Sequence, residues 1–115
     1  MTITLYGIPN CDTVKKARAF LAERGVAHAF HDYKKQGVPA ALDGWLVSLG
    51  WERLLNRQGT TWRKLDPARQ AAVHDAASAK ALMLEQPSVI RRPVVVRGEE
   101  LRVGFDAQDW ARWLG

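Results

Sequence analysis

A second cysteine is the clearest absence from this chain. Cys11 is the only one in 115 residues, so no internal disulfide can form and nothing points to a stapled, secreted fold. Long apolar runs are missing too. No stretch approaches the roughly 18 residues that span a bilayer. The start, MTITLYGIP, has neither the charged region nor the long apolar region of a signal peptide. A cytoplasmic, reducing location with no membrane partner is the expectation. The net charge is +5, yet no block of like charge occurs. The densest basic places are Lys15-Lys16-Ala17-Arg18, Arg63-Lys64 and Arg91-Arg92. Direct nucleic-acid binding is therefore not expected; such clusters suit an anion or a protein partner. Repeats, low-complexity tracts, a glycine-rich phosphate loop and a legible Ser-His-Asp arrangement are all lacking. His28, His31 and His74 have no metal-ligand spacing with Cys11, and in a strand His28 and His31 face opposite sides. Neither a metal nor a bound cofactor is expected.

What remains is an ordinary globular composition, 47% hydrophobic and 25% charged, sized for one domain over residues 1–115. Thr2 to Tyr6 alternates as a strand, and Gly7-Ile8-Pro9-Asn10 ends it. A helix from about Cys11 to Arg24 follows, with Val14, Ala17 and Leu21 on one face, and Val26 to Tyr33 reads as a second strand. Lys34 to Val38 reads as a loop. The middle, about residues 38–87, is helical. Leu42, Trp45, Leu46 and Leu49 share a face, Arg57 to Lys64 (RQGTTWRK) is polar and loop-like, Asp66-Pro67 starts a helix to about His74, and another spans about Ala77 to Glu85. Val94-Val96 and Leu101-Val103 form a hairpin around Gly98, and Asp106 caps a last helix. The order βαβ, helices, ββα predicts an α/β fold: a small mixed sheet flanked by helices, with a helical insertion.

Cys11 lies where a turn meets a helix. With Asn10 as N-cap, it falls in the first turn, where free N–H groups and the positive dipole end favour a thiolate. Lys15, one turn on, adds positive field and Asp12 opposes it. The alternative is a small buried hydrophobe, but a residue between Asn10 and Asp12 is not on an apolar stripe. Cys11-Asp12-Thr13-Val14 has valine where a dithiol pair needs sulfur, so a reactive Cys11 needs an outside thiol to finish its cycle. The second feature is Arg91-Arg92-Pro93 at the entry of a strand. There an arginine is placed to bind an anion, or the pair is simply solvated.

Together, YGIPNCDTVKKAR, LLNRQGTTWRKL and IRRPVVV resemble the arsenate reductase (ArsC) family, above all its YffB branch, with the Spx regulator as a cousin. The likeness runs from Leu5 to about Trp113. It implies a thioredoxin-like fold with a helical insertion, Cys11 as nucleophile, and Arg92 before a cis Pro93. It further implies a glutathione-dependent monothiol reductase acting on an oxidised thiol, with glutathione as co-substrate. Asn10, Asp12, Thr13, Lys15, Arg92 and Pro93 would then form the substrate and glutathione site. Glutaredoxin-linked arsenate reductases hold their oxyanion with further arginines. Their middle position falls on Asn56, with Arg57 next, and the last on Gly104, with Arg102 close by. A tetrahedral oxyanion needs several charge-assisted donors, which ranks arsenate last among the readings. The Spx likeness implies the other alternative, a regulatory protein docking on RNA polymerase, which the overall basic charge and the exposed RQGTTWRK segment permit.

Overall fold

Residues 2–115 are described by a computed structural model. Strand β1 (Ile3–Gly7) alternates as its sequence requires, Ile3, Leu5 and Gly7 buried and Thr4 and Tyr6 half-buried. Parallel to it runs β2 (His28–Asp32), in a register from Ile3 opposite His28 to Gly7 opposite Asp32. On its other side β3 (Val94–Arg97) is antiparallel, Tyr6 facing Val94 and Leu5 facing Val95. Then β4 (Glu100–Val103) closes a hairpin on β3. The sheet order is β2-β1-β3-β4, the expected mixed sheet.

Helix α1 (Asp12–Glu23) turns Val14, Ala17 and Leu21 inward. With Ile3, Leu5, Val95 and Trp110 they make one core cluster. Trp110 belongs to α8 (Ala107–Leu114), whose N-cap Asp106 accepts from the Gln108 and Asp109 amides. Phe105 stands edge-on to Trp110 at 4.9 Å, and Phe20 meets both rings. These aromatic contacts fix α1 and α8 over the sheet face that bears Leu5.

Two compact units divide the chain. The first runs up to Gly37 and resumes from Arg92 to Gly115; the second is Val38–Arg91. The first also holds α2 (Tyr33–Gln36), where a loop is predicted. Asp32 caps it through the Lys34 amide at 2.8 Å, and Gly37, at φ +76°, closes it onto the Tyr33 carbonyl. One turn is too short to show helical periodicity, and its cap lies within what reads as a strand.

The second unit is a run of short helices: α3 (Leu42–Leu49), α4 (Trp51–Leu54), α5 (Thr60–Lys64), α6 (Pro67–Ala71) and α7 (Ala76–Glu85), then a 3₁₀ turn at Pro87–Val89. Leu42, Trp45, Leu54, Leu55, Leu82, Met83, Val89 and Ile90 are buried within it. Five of the eight residues of the polar RQGTTWRK segment are therefore helical, and the Asp66-Pro67 helix ends at Ala71, short of His74. The chain turns at Ala72 because Asp75 begins a new capping box with Ser78. Asn56 donates its amide to Val89, and Leu54 accepts from Arg91, pinning the end of α4 to the segment after α7.

Fully buried Leu5 and 88%-exposed Val47 bracket the energetics. Leu5→Ala is expected to lower unfolding free energy by about 2–5 kcal/mol, and Val47→Ala by under about 0.5 kcal/mol, in urea titrations followed by circular dichroism. Equal losses would refute the assigned core.

Candidate functional site

Parallel strands β1 and β2 end side by side at Gly7 and Asp32, and β3 enters at the same end, Val94 facing Tyr6. Cys11 and the Arg92-Pro93 peptide are carried there by sequence proximity, the usual location of ligand sites in such sheets. Helix α1 comes so close that a Cβ at Gly7 would lie 2.9 Å from Val14 Cγ2. The Arg92 arm crosses the same spot, its Cβ and Cδ 3.9 Å from that position. Glycine is required there for packing.

Cys11, not Asn10, is the N-cap of α1. Its backbone is extended (φ −116°, ψ 123°), and its carbonyl accepts the first helical bond from the Lys15 amide at 2.9 Å. Asn10 is an exposed turn residue one place earlier. The cap preference of asparagine misplaces the boundary, because helical geometry begins only at Asp12. The thiol makes no capping hydrogen bond of ordinary geometry, so the first N–H groups of α1 remain available to a sulfur anion. Cys11 is half-buried and packs against the core cluster.

Burial pushes the Cys11 thiol up, but the Val14 amide, the hydrogen bond and charge of Arg92, and the Thr13 amide together bring it below its ordinary value. These contributions are the helix-terminus effect and the charge partner of an activated cysteine. Thr13 thus acts through its backbone. Lys15 is exposed and lines a surface depression with Arg18, Ala19, Ala22 and His28. Asp12 is exposed in the first turn. Sequence reasoning missed Val14, because its side chain marks it as core and only its amide faces the sulfur.

The Arg92–Pro93 peptide is cis, and Pro93 is buried. Its carbonyl accepts the Gly104 amide at 2.8 Å. Gly104, at φ +80°, adopts a backbone that side-chain-bearing residues rarely take. The position where an oxyanion arginine would fall is instead a tie to the proline. Arg102 is engaged with Asp109 at 3.0 Å and lies over the Trp113 ring. Arg57, in the second unit, packs its guanidinium between Trp51 and Trp62, at 5.5 and 5.8 Å from the ring centroids. Both arginines nearest the expected positions have partners of their own. Among the described residues no group of His, Cys, Asp and Glu side chains converges as a metal site, and no helix is long and apolar enough to cross a membrane.

A half-buried cysteine at the mouth of α1, beside a cis-proline entry to β3 in a mixed four-stranded sheet, defines a thioredoxin-like scaffold. The ArsC family profile matches residues 6–113, and the chain belongs to the ArsC family. A solved YffB protein is 49% identical, with TM-score 0.92 over 98% of this chain and 99% of its own. An arsenate reductase (ArsC) related protein from Brucella melitensis is 50% identical, with TM-score 0.79, covering 99% of this chain and 95% of its own. The global transcriptional regulator Spx of Listeria innocua is 26% identical over 97% of this chain and 86% of its length.

The lowered thiol predicts an iodoacetamide rate profile whose midpoint lies below about 8.5. A midpoint at or above that value would remove the activated cysteine. Because the folded thiol ionises below the unfolded one, its ionisation adds stability that is complete above the unfolded pKa and is lost as pH falls through the folded value. Cys11→Ser should erase that alkaline increment. It should also supply the missing cap oxygen, raising stability near neutral pH by about 0.5–1 kcal/mol in urea titrations. A loss of that size would show that packing of the sulfur outweighs the cap.

Proposed function

We propose that the protein is a glutathione-dependent monothiol reductase with Cys11 as nucleophile. The observation that carries this reading is the pairing of one half-buried thiol with the Arg92 guanidinium and the amides that open α1. The Cys11 thiolate attacks the glutathione sulfur of a mixed disulfide between glutathione and a substrate. A bond forms between Cys11 and that sulfur, and the substrate leaves as a thiolate that takes a proton. A second glutathione thiolate then attacks the same glutathione sulfur, releasing glutathione disulfide and restoring the Cys11 thiolate. Atoms and electrons balance without a second protein cysteine, and this chain has none. In this reading Arg92 holds a carboxylate of glutathione, Pro93 presents backbone to the peptide, and exposed Asn10, Asp12 and Lys15 flank the sulfur. A cytoplasmic setting rich in glutathione follows.

Turnover of a glutathione mixed disulfide, coupled to glutathione reductase, tests the reading directly. Cys11→Ser is expected to abolish turnover with the fold intact. Arg92→Lys, which loses the planar fork, is expected to raise the KM for glutathione by about tenfold. Turnover retained by Cys11→Ser would place the chemistry elsewhere. The near-full-length likeness to Spx favours one second reading, a regulatory protein that docks on RNA polymerase. Capture of the polymerase α subunit without mixed-disulfide turnover would select it. Arsenate reduction proper is disfavoured by Gly104 and by the engaged Arg57 and Arg102.

A further inference from the structure

A depression of about 350 Å³ opens on α1 within the first unit, lined by Lys15, Arg18, Ala19, Ala22 and His28. Positions 11, 15, 18 and 22 follow the three- and four-residue steps of one helical face, so the depression continues the stripe that Cys11 begins. At 1.5 Å per residue, Lys15 stands about 6 Å and Arg18 about 10 Å along the axis from Cys11. His28, at the start of β2, makes another wall and donates Nδ1–H to the Val26 carbonyl at 3.2 Å. Ala19 and Ala22 are exposed, and their small side chains leave room for a chain to lie close.

Charge sets this face apart. Four basic side chains elsewhere are matched: Arg69 by Glu85, Lys80 by Asp43, Arg97 by Glu100 and Arg102 by Asp109. Among the described residues neither Lys15 nor Arg18 has a carboxylate within ion-pair distance. Asp12 and Glu23 sit in the first and last turns of α1 and do not line the depression. Arg18 is nonetheless held, its guanidinium over the Phe30 ring of β2 at 4.5 Å. Stacking of this kind fixes the charge and leaves the edge N–H donors for an acceptor.

We propose that this face binds the acidic stretch of a protein partner, which runs along α1 while its modified cysteine meets Cys11. The inference rests on Cys11 as the reactive thiol and gives the proposed reductase its class of substrate: protein cysteines flanked by glutamate or aspartate. An extended chain rises about 3.3 Å per residue, so acids two to four positions from the cysteine meet Lys15 and Arg18. Cations spaced along one line suit such a chain better than one compact anion.

The test mixes the full chain with two peptides whose single cysteine carries a neutral pyridylthio group. One has glutamates two and four positions to either side of the cysteine, the other glutamines. The Cys11 thiolate attacks the peptide sulfur, a Cys11–peptide disulfide forms, and the pyridinethiolate leaves and takes a proton. The second-order rate is read from the released thione. The glutamate peptide is expected to react about fivefold faster at low salt, the order given by two exposed ion pairs. That ratio should fall to about one near 0.5 M salt. Arg18→Glu, and independently Ala22→Glu, should bring it to one or below, with the rate toward an uncharged small disulfide kept within about twofold. Arg112→Glu, exposed on α8, should leave the ratio unchanged.

Equal rates for the two peptides on the native chain overturn the inference, as does a preference retained in both depression variants. A fall with Arg112→Glu as large as with Arg18→Glu would assign the preference to net charge and overturn it equally. Stronger competition by a DNA oligonucleotide than by a cysteine-free glutamate peptide would give the face to nucleic acid instead. Loss of glutathione-coupled turnover with the peptide ratios intact would refute the reductase reading alone.

Discussion

Two-sided pairing of β1 is the constraint on which the site depends. One five-residue strand accepts β2 in parallel and β3 in antiparallel register. The C-terminal end of β1 is thereby the one place where the leading turn of α1, the end of β2 and the entry of β3 coincide. No long loop has to order itself to bring Cys11 and Arg92 together, although 80 residues lie between them in the chain. The sheet supplies that closure through ladder hydrogen bonds and through the Leu5, Val14 and Val95 core beneath. Gly7 is the local expression of the same constraint, since any larger residue would press on Val14.

Around the sulfur, opposing effects of one residue's placement are balanced. Partial burial disfavours a thiolate, and the Val14 and Thr13 amides together with Arg92 more than offset it. Field and hydrogen bonds win because their donors are fixed by elements that exist for other reasons. The amides belong to a helix held by Leu21 and Ala17, and the arginine precedes a proline whose carbonyl is tied to Gly104. A site organised in this way needs no reorganisation as charge appears on the sulfur.

Much of this was legible in the sequence. The alternation of ITLY, the Val14-Ala17-Leu21 stripe, the VVV hairpin and the Asp106 cap each have a local cause, and local causes can be read residue by residue. The element order, and with it the mixed sheet, followed. What escaped reading has non-local or backbone causes. Asn10 reads as the cap because its chemistry favours one, yet φ and ψ at Cys11 decide the matter. The Tyr33 turn and the α5 helix are too short for any period to register. The hydrogen bond from Gly104 to Pro93 joins positions whose side chains give no sign of it. Arg102 and Arg57 are equally plausible anion ligands in one dimension; Asp109, Trp113, Trp51 and Trp62 engage them only in the fold.

The cap position of α1 has a consequence for how such a chain drifts. Serine, aspartate and asparagine all cap helices well, so selection for folding alone would remove the sulfur from position 11. In the reductase reading, its presence there sets the folding optimum and the chemical optimum against each other at a single codon. Drift toward the former leaves a well-folded but inert descendant. A silent paralogue of this fold should therefore be recognised less by a damaged core than by an improved helix start.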